Sequence, residues 1–186
     1  KGETWNFQPA SVLYSDSLIV VNNVEIKNKR QSFLANGTLS KQIPDSLGIK
    51  LNNFDVGFVD LFLEKPFKLH GYFSGRANFS LNKNTNKMFA EIRGDSVSVY
   101  GAPVGDMLLL GKWSEPEKRY NLLLHTDLDG TSKLAVDGYY KPDSSYVDMR
   151  STLNDLSLTY FEPFLSSVAT KTSGFINGNI RLYGPL

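Results

Sequence analysis

The chain has 186 residues, of which 41% are hydrophobic and 12% aromatic, a profile that excludes a disordered segment and suffices for one sizeable core. Its 20 Lys and Arg nearly balance 19 Asp and Glu with no block of like charge, so the sequence carries no nucleic-acid footprint. Cysteine is absent, which excludes disulfides, thiolate metal sites and a cysteine nucleophile.

The chain opens abruptly on Lys1-Gly2-Glu3-Thr4-Trp5 with no apolar leader core, and stops in mid-pattern on Gly184-Pro185-Leu186. Both ends therefore read as cuts within a longer protein. The longest apolar runs, Leu18-Ile19-Val20-Val21 and Met107-Leu108-Leu109-Leu110, fall far short of the roughly 18 residues of a spanning helix, so no membrane span is expected.

Strands are predicted first at residues 18–26, 33–39 and 47–51, with Asn22-Asn23 an ambiguous separator and Asn36-Gly37 a clear turn former. Val56, Phe58, Val59, Phe62 and Leu63, ahead of Pro66, fall at helical spacing and predict a short amphipathic helix. From Phe67 the period is two: Phe67, Leu69, Gly71, Phe73, Gly75, Ala77, Phe79 and Leu81 alternate with Lys68, His70, Tyr72, Ser74, Arg76, Asn78 and Ser80. A polar cluster at residues 82–87 turns this strand into a hairpin with Met88, Ala90 and Ile92. Val97 and Val99 fall out of phase after Gly94-Asp95, as a bulge would produce.

Further strands are predicted at residues 104–113, 120–125, 133–140, 146–153 and 174–183, separated by Ser114-Glu115-Pro116-Glu117, Asp127-Leu128-Asp129-Gly130 and Lys141-Pro142-Asp143-Ser144-Ser145. Leu158, Phe161, Phe164, Leu165 and Val168 predict a second short helix. The fold class is mainly β, a long antiparallel meander with an apolar inner face.

Leu51-Asn52-Asn53-Phe54 followed by Gly71-x-x-x-Gly75 is echoed by Leu153-Asn154-Asp155-Leu156 followed by Gly174-x-x-x-Gly178, an offset of about 102 residues. The expectation is one continuous repeat-built segment over residues 1–186, with repeat units near 47–100 and 149–186, the second truncated.

Leu153-Asn154-Asp155-Leu156-Ser157-Leu158, Phe161-Glu162-Pro163-Phe164-Leu165 and the run Gly174, Gly178, Ile180, Leu182, Gly184-Pro185-Leu186 resemble the repeats before the C-terminal domain of the TamB (translocation and assembly module) family, in the style of Bacteroidetes homologues; AsmA-like proteins share the texture. The resemblance implies a sheet curled like a taco or a U around a hydrophobic groove, in a periplasmic protein anchored in the inner membrane. It also implies phospholipid transport or outer-membrane protein assembly, with a TamA- or BamA-like barrel partner contacted through other regions of the parent.

Two short helices cannot cover one face of about ten strands, so the sheet must curl, pair with a second sheet, or leave a trough for acyl chains. The candidate groove-lining residues are Phe67, Leu69, Phe73, Phe79, Leu81, Met88, Ile92, Val97, Val99, Ile176, Ile180 and Leu182. An ordinary dry core is the competing reading. A β-sandwich adhesion module and a purely structural assembly scaffold are the functional rivals.

No catalytic constellation or cofactor motif is present, and the chain reads as a non-enzyme. His70 and His125 sit alone on polar strand faces, Gly71-Tyr72-Phe73-Ser74-Gly75 has the wrong spacing for a nucleophile elbow, and Gly111-Lys112 leads into Trp113 rather than Ser or Thr. Asp127-Leu128-Asp129-Gly130 lacks the further acids of a calcium loop and reads as a turn. Tyr72, Tyr139, Tyr146, Tyr183, Trp5 and Trp113 read as cross-strand packing residues rather than a binding platform. The sequons at Asn36 and Asn78 read as chance.

Overall fold

The computed structural model describes residues 4–42, 45–58, 68–81, 86–161 and 173–186. Twelve strands form one antiparallel sheet that does not close. They are β1 (Asn6–Phe7), β2 (Ser11–Ser15), β3 (Leu18–Lys27), β4 (Ser32–Ser40), β5 (Leu47–Asp55), β6 (Leu69–Leu81), β7 (Asn86–Val99), β8 (Ala102–Ser114), β9 (Arg119–Leu128), β10 (Thr131–Lys141), β11 (Tyr146–Ser157) and β12 (Phe175–Pro185). From β3 onward every strand pairs with its neighbour in sequence, the meander that polar turns at short intervals dictate. The turn at Asp129-Gly130 is a two-residue hairpin with φ of 55° and 75°, and Asp127 Oδ1 accepts the Gly130 N–H at 2.8 Å.

Three features depart from the sequence reading. The strands β1 and β2 were not expected; both pair with β3, end to end, and Pro9 between them has no N–H to give to a ladder. Asn36-Gly37 is no turn but lies inside β4, for a reason given below. No α-helix occurs among the described residues: the two predicted helices begin as 3-10 turns, at residues 56–58 and Leu158–Phe161. Val59, Phe62, Leu63, Phe164, Leu165 and Val168 lie outside the described residues. The helical spacing at Val56 and Phe58 reflects packing at the sheet rim, where the Phe58 ring sits 6.0 Å from that of Phe54.

A backbone device recurs along the sheet. Register slips between Val21 and Val24, Leu51 and Phe54, Gly94 and Val97, and Leu153 and Leu156 mark bulges in β3, β5, β7 and β11. In each bulge one residue turns left-handed: Asn23 (φ 51°), Asn53 (47°), Ser96 (53°) and Asp155 (47°). Its N–H, pulled off the ladder, donates to a side chain of the next strand. The acceptors are Asn36 Oδ1 at 3.0 Å, Ser74 Oγ at 2.9 Å, Asp106 Oδ1 at 3.3 Å and Asn177 Oδ1 at 2.7 Å. An exposed amide displaced from the ladder thereby gains a partner within the sheet, and the bulge adds local twist. Each acceptor adjoins a glycine of positive φ: Gly37, Gly75, Gly105 and Gly178.

The first three of these glycines are required by close approach. A Cβ on Gly37 would lie 2.0 Å from the Ser46 carbonyl oxygen, one on Gly75 2.1 Å from that of Glu91, and one on Gly105 1.9 Å from that of Asp127. The obstructing carbonyl belongs to the following strand for Gly75 and Gly105, and to Ser46, the residue just before β5, for Gly37. Gly75→Ala is therefore expected to cost roughly 2 kcal/mol or more in urea unfolding, whereas Gly178→Ala, with nothing within 4 Å, costs well under half of that. Equal losses would show that strand approach is not what the glycine serves.

Candidate functional site

Cross-strand register joins the apolar positions into one face that runs the width of the sheet. One row passes through Phe33, Leu51, Gly75, Ile92, Leu109, Leu124 and Val136. The opposite face carries Lys50, Arg76, Glu91, Arg93, Asp137 and Arg150, with Leu108, Leu110 and Leu123 among them on β8 and β9. Alternation produces the two faces, and the charges gather on one of them.

At the rim that bears the bulges of β5, β7 and β11 the apolar face is tightly packed. Phe54 and Phe73 are 3% and 4% exposed, Val97 2% and Thr126 1%. The Thr126 hydroxyl oxygen accepts the Leu134 N–H at 3.1 Å, so the buried polar group is satisfied. Trp5 covers this end, its ring 6.1 Å from Phe54 edge-on and 6.2 Å from Phe58 in a stack, while Phe33 lies 5.6 Å from Phe54. The Tyr160 hydroxyl, beyond β11, donates to the Pro103 carbonyl of β8, and burial pushes its phenol pKa up.

Along the middle of the face small residues replace large ones. Ala77, Ala90 and Gly111 stand side by side on β6, β7 and β8, and the Met88 methyl and a Leu122 methyl lean over Gly111. Beyond this belt, at the end away from those bulges, lies an apolar cavity of about 300 Å³. Phe79, Leu81 and Met88 form one wall; Tyr120, Leu122 and Tyr140 form another; Leu39 of β4, with Ser80 and Lys87, completes it. The strands β4 and β10 are six places apart in the sheet, so the sheet bends until they bound the same space. Desolvation raises the Tyr120 phenol pKa, and Tyr140 beside it adds to the shift. The volume lies at the lower end of the range of small-molecule pockets.

The residues proposed from sequence share the face but not one groove. Phe79, Leu81 and Met88 line the cavity. Phe73 and Val97 are buried in the packed end, where the dry-core reading holds. Leu69 and Val99 pair with each other near that rim, and Ile92 is half-buried opposite Gly75. On β12, Ile176 is half-buried but Ile180 and Leu182 are 53% and 59% exposed. Phe67 lies outside the described residues. Leu39, Tyr120, Leu122 and Tyr140 went unnamed although each follows the same alternation; what sequence lacks is the bend that brings β4 to β10.

The outer face holds the histidines, with His70 exposed and His125 half-buried among Arg93, Asp106 and Asp127 beside a cavity of about 510 Å³. A second outer cavity, of about 490 Å³, is bounded by Lys112, Arg119, Asp137, Asp148 and Arg150. Among the described residues no group of three His, Cys, Asp or Glu is placed to hold a metal ion. The aromatics pack as neighbours: Trp113 and Tyr120 at 4.7 Å, Tyr139 and Tyr146 at 6.4 Å. Asp148 accepts two bonds of 2.9 Å from the Arg181 guanidinium, which holds its carboxyl below the ordinary range and ties β12 to β11.

No helix among the described residues is long and apolar enough to cross a membrane. No family model, curated protein or solved structure matches the chain.

Two expectations follow. Phe73→Arg buries an unpaired charge and should destabilise the chain by about 3 kcal/mol or more, while Phe79→Arg, able to extend its head group through the cavity mouth, should cost no more than about half of that; chemical denaturation of both variants decides it. The Asp148–Arg181 pair adds stability in full above the ordinary carboxylate pKa of about 4, and that contribution fades as pH falls through the depressed native value. The gap in melting temperature between wild type and Asp148→Asn should therefore shrink towards zero between pH 6 and pH 2.

Proposed function

We propose that the chain is a non-catalytic segment of a periplasm-spanning, TamB- or AsmA-like protein, in which the bent sheet forms a taco-like trough that carries phospholipid acyl chains between the inner and outer membranes. The observation that carries this reading is the apolar cavity bounded by β4 at one side and β10 at the other, on a sheet face that no described helix covers. Further support comes from the resemblance of residues 153–158, 161–165 and 174–186 to TamB repeats.

In this reading an acyl chain lies along Phe79, Leu81 and Met88, and each methylene moved out of water is worth about 0.8 kcal/mol. The head group stays wet at the mouth, near the exposed ammonium of Lys87, which sits 3.9 Å from Glu115. The belt at Ala77, Ala90 and Gly111 is buried, so a chain that continues from the cavity towards the middle of the face displaces the Met88 and Leu122 side chains that lean over Gly111. The barrel partner and the membrane anchor belong to other parts of the parent protein.

A photo-crosslinking residue at Phe79, with a second at Arg76 on the outer face as control, tests the proposal in cells that carry the full-length parent. Phospholipid adducts at Phe79 and none at Arg76 are expected. Adducts at neither position, or at both alike, would remove the conduit reading and leave an assembly scaffold.

A further inference from the structure

The free edge of β12 is built to receive one more strand. We propose that it docks an antiparallel β-strand of the type that β7 presents to β6, an extended segment with aliphatic residues towards the apolar face and polar residues away from it. This inference does not depend on whether the trough carries lipid.

Two observations carry it. The first is conformational. Gly37, Gly75, Gly105 and Gly138 lie on β4, β6, β8 and β10, with φ of 118°, 146°, 86° and 157°, a backbone shape that side chains disfavour. In all four the space where a Cβ would project is filled by a carbonyl oxygen of the next strand or, for Gly37, of Ser46 at its start, at 1.9 to 2.1 Å from the Cβ position. On β12, Gly178 (φ 154°) and Gly184 (132°) adopt the same shape, and nothing lies within 4 Å of either. The edge holds the conformation of an occupied junction without the occupant.

The second observation is correspondence. Asp155 repeats Asn53 in φ at 47°, its N–H donates to Asn177 as that of Asn53 does to Ser74, and Gly178 follows Asn177 as Gly75 follows Ser74. The strand β12 therefore stands to β11 as β6 stands to β5. The far side of β6 is taken by β7, with Ile92 directly opposite Gly75. The residue due opposite Gly178 is thus aliphatic, as Leu47 is opposite Gly37 and Met149 opposite Gly138. Such a strand would also cover Ile180 and Leu182, which are large, apolar and more than half exposed. Main-chain bonds would supply affinity, and the alternating side chains register and specificity.

The test titrates a fluorescein-labelled peptide of the β7 sequence, residues 86–99, into the purified chain and follows anisotropy. Saturable binding is expected, together with quenching by a nitroxide placed at Asn179→Cys and none by one at Val12→Cys on the opposite edge. Gly178→Val sets a branched side chain where the incoming carbonyl would lie and should weaken binding at least tenfold, with circular dichroism and melting temperature reading out the strain of a side chain at φ 154°. If that variant disturbs β12, the peptide N-methylated along its bonding edge carries the test, and must bind at least tenfold more weakly to the unaltered protein. Absence of binding, binding indifferent to both changes, or quenching from the Val12→Cys edge would overturn the proposal. So would self-association of the chain through β12 with no uptake of peptide, since the occupant would then be a second copy.

Discussion

A sheet built in one layer must cover its own apolar face. Where helices or a second sheet pack on the strands that burden is shared; among the described residues the sheet itself bends, until β4 and β10 bound one apolar cavity. Twist and bend come from bulges, and the bulges of β3, β5, β7 and β11 are held by the same amide-to-side-chain bond. Without a polar acceptor on the next strand each displaced N–H would be lost to the ladder with nothing in exchange. The curvature of the molecule thus rests on Asn36, Ser74, Asp106 and Asn177, residues that look like surface decoration in the sequence.

Curvature is graded along the strands. At the rim with the bulges of β5, β7 and β11 the face is packed, with Phe54 against Trp5, Phe33 and Phe58, and Phe54, Phe73 and Val97 exclude water as a globular core would. At the other end, past a belt of alanine and glycine, Leu39 and Tyr140 stand on opposite walls of an unfilled space. Core and trough are therefore two ends of the same face rather than competing descriptions of it.

Much of this was legible in the sequence. The strict alternation from Leu69 to Leu81, the polar turns and the phase break after Gly94-Asp95 place the strands and even the β7 bulge. Asn36-Gly37 misled because the same dipeptide serves a hairpin turn and a bulge acceptor with its close-approach glycine, and only the partner strand tells them apart. The edge strands β1 and β2 went unseen because Pro9 divides a ladder too short to show its period. Membership of the cavity was half legible: Phe79, Leu81 and Met88 belong to one hairpin and announce themselves, whereas Leu39 and Tyr140 depend on a bend that no local pattern encodes.

The two edges of the sheet point the same way. Its path holds eleven strand positions, an odd number, so β1 and β2, both antiparallel to β3, run in the same direction as β12. If copies were laid head to tail, the seam between them would be parallel, with a bond pattern that neither edge is shaped for. The Pro9 interruption weakens that seam further. Strand parity thus sets the geometry of any pairing between these two strands of different copies: copies related by translation alone meet with parallel strands.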